Sequence, residues 1–147
     1  MRARIHNRPG DVVDDRPHAI ARRGRCYAYC VADLSSLISA VETVLADTER
    51  EYAQMPFFVR PMVKRGFVKR TGHDMPAWRV LLADARAGRR TRELADALSA
   101  LAEHFRGAPE RAKRGMGASS DQLAIVEERS RARGEAALAL RSALLAN

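Results

Sequence analysis

Apolar residues first settle into a sustained period at Leu34. Leu34, Leu37, Ile38, Val41, Val44 and Leu45 fall at i, i+3, i+4, i+7, i+10 and i+11, the spacing that lays side chains along one face of an α-helix. Tyr52 extends that face, and Pro56 stops it, because proline lacks the N–H a helix interior needs. A second helix runs to about Arg70 and closes near Gly72, with Val59, Met62, Val63, Gly66 and Phe67 on its inner side. Pro61 restricts Arg60, so the spacing predicts a turn over Pro56–Arg60 and a helix starting at Pro61.

Asp74 is placed to cap a third helix, with Pro76 in its first turn, Trp78, Leu81, Leu82 and Ala85 as its buried stripe, and Gly88 after its end. Thr91 caps a fourth, which turns Leu94, Ala97, Leu98, Leu101 and Phe105 inward before Gly107 and Pro109. Ser119 and Gln122 form a capping-box pair ahead of a last helix. Its first half is highly charged and only Leu138, Leu144 and Leu145 give it a weak apolar face, which suits loose packing or contact with another chain. No alternating strand pattern occurs. The expected fold is all-α, a small bundle of four to five helices. The chain divides into a flexible basic tail (1–25), a helical core (26–106), a Gly-rich basic linker (107–118) and a C-terminal helix (119–147).

Composition agrees with helices, since alanine and leucine dominate the apolar set and only 5% of the 147 residues are aromatic. Charge adds more. The formal net charge is +8, which directs attention to anionic partners: nucleic acid, an acidic protein face, anionic lipid or a carboxylate-bearing ligand. No run reaches the 18 or more uncharged apolar residues of a membrane span. The stretch from Arg22 has a basic start and an apolar continuation, but Asp33, Glu42, Ser35, Ser36 and Ser39 make it an amphipathic helix and not a signal. The expected location is cytoplasmic.

Chemistry-bearing motifs are scarce. There is no Gly-rich phosphate loop, nucleophile elbow or His-Glu-x-x-His. Cys26 and Cys30 stand in Cys-x3-Cys spacing with only His18 nearby, too few donors for a zinc site, and read as small apolar side chains. His6 and His18 are isolated. His104 beside Glu103 reads as a surface histidine, and His73–Asp74 as an exposed turn with a helix cap. Trp78 reads as core, with ligand stacking as the alternative. The expectation is a protein that is not an enzyme on its own and has no intrinsic cofactor.

The basic run carries the most information. Between Ala53 and His73 there are five positive residues, Arg60, Lys64, Arg65, Lys69 and Arg70, and no acid. Arg60/Lys64 and Arg65/Lys69 are like-charged i, i+4 pairs, each costing a few tenths of a kcal/mol in an isolated helix. A second cluster follows at Arg86, Arg89, Arg90 and Arg92. Either these cations face an anion, or Glu42, Asp47, Glu49 and Glu51 neutralise them from elsewhere in the fold.

Pro56-Phe57-Phe58-Val59-Arg60, followed by Val63-Lys64-Arg65, resembles the core of the small C-terminal module of light-independent protochlorophyllide reductase B subunits, the PCP reductase domain, which also occurs in other bacterial proteins. The resemblance covers residues 49–87. The chain departs from it at Pro61, where the family is usually helical, at Val68, where a glutamate is common, and in a shorter loop before Asp74. Nothing resembles the reductase's catalytic body or supplies the four thiolates of a cluster. The resemblance therefore implies an accessory binding module. Its ligand- or partner-facing residues would be Phe57, Phe58, Arg60, Lys64, Arg65, Lys69 and Trp78, and its target a tetrapyrrole carrying carboxylates or a partner subunit. Nucleic acid held by the same basic helices, or a structural place in a larger assembly, are the alternatives.

Overall fold

The capping residues named above start the helices assigned to them. The computed structural model describes residues 21–116 and 119–146, with side chains from Leu34 onward except that of Met116. In it Asp74 Oδ1 accepts from Ala77 N at 2.9 Å and Thr91 Oγ1 accepts from Leu94 N at 3.2 Å. Ser119 and Gln122 close both halves of the capping box, at 3.3 and 3.1 Å. Each bond satisfies an N–H that the first helical turn leaves without a partner.

The elements are α1 (Ala21–Gln54), α2 (Arg60–Thr71), α3 (Met75–Arg86), α4 (Arg92–Arg106), α5 (Ala108–Met116) and α6 (Ser120–Leu145), with no strand among the described residues. The all-helical fold is thus present. The count reaches six because the stretch read as a Gly-rich linker, 107–118, carries α5. Gly107 stays in the helical region (φ −82°, ψ −1°) and its N–H donates to Glu103 O. Pro109 falls in the first turn of α5, where a proline loses no helical hydrogen bond. The expected tail, residues 1–25, lies outside the described residues up to position 20, and α1 begins at Ala21. The side chains of Cys26 and Cys30, and all of His6 and His18, also lie outside them.

α4 is the central element. It pairs most extensively with α6 and also meets α2 and α5, while α1 lies against α3, α6 and α2. Ile38, Val41 and Leu45 of α1, Trp78 and Leu82 of α3, Leu94, Leu98 and Leu101 of α4, and Leu140 of α6 form one continuous core. Burying each large side chain contributes on the order of 1.5–3 kcal/mol. α6 packs closely, contrary to the loose association expected for it. It buries Ser130, Ala137, Leu140 and Leu144, whereas Leu138 and Leu145 face solvent. Two of its four buried positions are small or polar, so its inner face carries little hydrophobic signal.

Candidate functional site

The region between α1 and α2 is built to stand proud. α1 ends at Gln54, and Pro56–Val59 form a turn in which Val59 N donates to Pro56 O at 2.9 Å. α2 then starts at Arg60 with Pro61 in its first turn, where the ring is harmless, as the sequence indicated. Arg60 Nε donates to Met55 O at 2.7 Å, tying the start of α2 back to the end of α1. At the other end Gly72 takes the left-handed conformation (φ 79°) and its N–H closes on Val68 O.

This elbow leaves its aromatic residues in water. Phe57 and Phe58 are 80% and 70% exposed, and their rings touch only edge-to-face, with centroids 5.7 Å apart. Met62, expected on the inner side, is 68% exposed instead. The reason is angular: Val63, Phe67 and Thr71 follow the i, i+4 line that meets the core, and Met62 falls with Arg65 and Lys69 on the opposite face. Of the eight large apolar side chains left exposed among the described residues, four (Phe57, Phe58, Met62 and Val68) lie in this one stretch. Such local concentration marks a contact surface more than scattered exposure does.

The acids that might have neutralised α2 are engaged elsewhere. Glu42 accepts from Arg86 at 2.6 Å, Asp47 from Arg50 at 2.9 Å, and Glu49 from Arg79. Glu51 accepts from Arg129 at 2.9 Å and from Arg133 at 2.7 Å. Burial raises the Glu51 carboxyl, but the hydrogen bonds and charges of Arg133 and Arg129 outweigh it and hold the pKa below the ordinary value. Lys64, Arg65 and Lys69 have no carboxylate within ion-pair distance among the described residues, and Arg60 meets only a carbonyl. The second cluster is different: Arg86 pairs with Glu42, Arg89 with Asp84 and, loosely at 3.9 Å, Arg92 with Asp96.

Trp78 does not join this surface. It is 0% exposed, with the ring of half-buried His73 edge-on at 5.8 Å, and its Nε1–H has no acceptor among the described residues. The sequence placed it correctly on the buried stripe of α3; the ligand-stacking alternative is excluded by burial.

No protein-family model, no curated protein and no solved structure matches the chain. What the residues do must come from the chain itself.

Sequence reasoning missed a second group. His104 is not at the surface: it is 7% exposed, wedged edge-on between the rings of Phe67 and Phe105. Its Nδ1 accepts from Arg70 Nε at 3.0 Å, and its backbone oxygen accepts from Arg111 Nη2. Burial, then the charges of Arg111 and Arg70, push its pKa down to about 3, so the ring is neutral at physiological pH. With Tyr52, Glu51, Arg129 and Arg133, the residues His104, Arg70 and Arg111 line a cleft of about 220 Å³ between α1, α2, α4, α5 and α6. The only signal in the sequence was the repeat of a glycine four residues before each arginine, Gly66–Arg70 and Gly107–Arg111. Among the described residues no group of three or more His, Cys, Asp or Glu is placed to hold a metal ion, and no helix is long and apolar enough to cross a membrane.

Proposed function

We propose that this chain is a non-catalytic binding module that docks an apolar and anionic partner surface onto the Phe57–Phe58 elbow and the outward face of α2. One observation carries the reading: exposed rings lead into the helix that carries Lys64, Arg65 and Lys69, while α1's nearby acids are bound to α3, to α6 or within α1 itself. An unpaired cationic face steers an anionic partner, and the aromatic rings supply apolar area to bury on contact. The rings stand on a convex turn, which favours the face of a partner subunit over an enclosed small molecule. The resemblance of Pro56–Arg60 to the protochlorophyllide reductase module supports the same role, with an acidic subunit or a carboxylate-bearing tetrapyrrole as target.

A photoreactive residue at position 58, used in the producing cells, tests the proposal. The expected product is one discrete protein adduct that disappears when Lys64 and Arg65 are changed to glutamate. A nuclease-sensitive adduct, with affinity falling log-linearly in salt, would assign the face to nucleic acid instead. A Soret shift on titration with a tetrapyrrole would assign it to the ligand; Trp78 fluorescence is no substitute, because that ring is buried away from the elbow. Absence of adduct, shift and gel retardation together overturns the docking role.

A further inference from the structure

We infer that the cleft between α1, α2, α4, α5 and α6 binds a compact, doubly charged oxyanion, a phosphate group or a small dicarboxylate, between Arg70 and Arg111. This site is separate from the elbow surface and stands on different residues.

Two pairs of arginines line the cleft. In the first pair Arg129 and Arg133 share Glu51, whose Oε1 takes both at 2.9 and 2.7 Å and whose Oε2 takes Arg133 again at 3.0 Å. In the second pair Arg70 and Arg111 have no carboxylate among the described residues; they donate to the imidazole and the carbonyl of His104. Among the described residues Glu51 is the one acid lining the cleft, so with a neutral His104 the four arginines leave a formal lining charge of +3. Burial first, and then the charge of Arg70, hold Arg111 below the usual guanidinium value. Two guanidiniums brought to one histidine with no carboxylate bound to either are the arrangement that an oxyanion relieves, since each planar fork donates to two of its oxygens.

Both arginines are seated against glycine. A Cβ at Gly66 would stand 3.0 Å from Arg70 Nη2, and one at Gly107 only 2.6 Å from Arg111 Nη1. The missing side chains allow each guanidinium to fold back along its own helix. His104 then fixes both from between, neutral and acceptor-only at Nδ1. The volume, about 220 Å³, lies below the roughly 300–1,000 Å³ of drug-sized sites, which restricts the guest to a small ion or its short ester.

Calorimetric titration of the purified full-length chain with inorganic phosphate and, separately, succinate tests the site. Saturable 1:1 binding of either supports it, and the tighter of the two names the source of the oxyanion. Arg111→Gln is expected to weaken that binding about tenfold or more. Gly107→Ala keeps every charge, crowds the movable end of Arg111 and meets the Glu103 carbonyl only at an ordinary 3.7 Å, at a residue of helical φ and ψ; it is expected to weaken binding as well, with an unchanged circular dichroism spectrum. Arg90→Gln combined with Arg114→Gln removes two exposed charges elsewhere and is expected to leave the affinity within about twofold. Binding of neither anion in the millimolar range, or equal loss in the Arg90/Arg114 variant, overturns the assignment.

Discussion

α2 and α3 are each 12 residues long and both touch α1, yet they are held in opposite ways. α3 is capped by Asp74, buries Trp78, Leu81, Leu82 and Ala85, and has Arg79 and Arg86 bound to Glu49 and Glu42 of α1. α2 has no side-chain cap, buries only Phe67 and Thr71, and turns Met62, Arg65 and Lys69 outward without carboxylates. Its polar anchors are Arg60 on the carbonyl of Met55 and Arg70 on His104. The difference separates two uses of the same length of chain: one helix spends its sequence on attachment, while the other is attached just enough to present a surface.

The comparison can be broken most sharply at the two aromatic groups. Trp78→Ala is expected to lose about 3–5 kcal/mol of stability in urea denaturation, because a fully buried ring leaves a cavity. Phe57→Ser with Phe58→Ser should change stability by no more than about 0.5 kcal/mol, since nothing buried is lost. Comparable losses in the two experiments would show that the elbow is packed and not presented.

Acid acts next. His104 is held near pKa 3 in the fold against an ordinary 6.5, so the unfolded chain binds more protons between those values. Its contribution is complete above about pH 6.5 and declines as the pH falls toward 3, by up to a few kcal/mol. Arg70 and Phe67 of α2, Phe105 of α4 and Arg111 of α5 surround the ring, and protonation removes the acceptor that Arg70 uses. Amide protection, measured against the intrinsic exchange rate at each pH, should therefore fall in α2 before α3 as pH drops from 6.5 to 5. His104→Gln, which keeps an acceptor and does not titrate, should flatten that response. Identical exchange profiles in both helices would remove the idea that α2 rests on this residue.

The smallest effects are electrostatic and opposite in sign. Arg86→Gln should cost α3 about 0.2–1 kcal/mol by breaking its pair with Glu42. Lys64→Gln should stabilise by about 0.2–0.5 kcal/mol by relieving its i, i+4 repulsion with Arg60. Both changes should shrink in high salt. A loss on removing Lys64 would mean that an internal partner holds it.

Much of the fold was legible where a local residue has one dominant use. Asp74, Thr91 and Ser119 stop chains from being anything but helix starts, and Gly72 ends α2 in the left-handed conformation its sequence position suggested. Legibility failed where glycine and proline were compatible with more than one conformation, as at Gly107 and Pro109, which introduce α5 instead of a linker. It failed again for α6, whose buried Ser130 and Ala137 look like surface residues until α4 is laid against them. Of the candidate site, the run without acids singled out the α2 cations but left open their neutralisation by Glu42, Asp47, Glu49 and Glu51, and Phe57 and Phe58 were singled out by the resemblance alone. The His104 cleft was not singled out at all, because its members come from five helices and no short window contains more than two of its charged groups.

The tie between Arg60 Nε and the carbonyl of Met55 has a kinetic consequence. A turn already fixed at its entrance has little ordering left to do when a partner arrives, so the entropy normally lost in immobilising a flexible loop is largely absent from the encounter. Capture at this corner should then run at a speed governed by diffusion and long-range attraction, and dissociation alone would decide how long the complex lives.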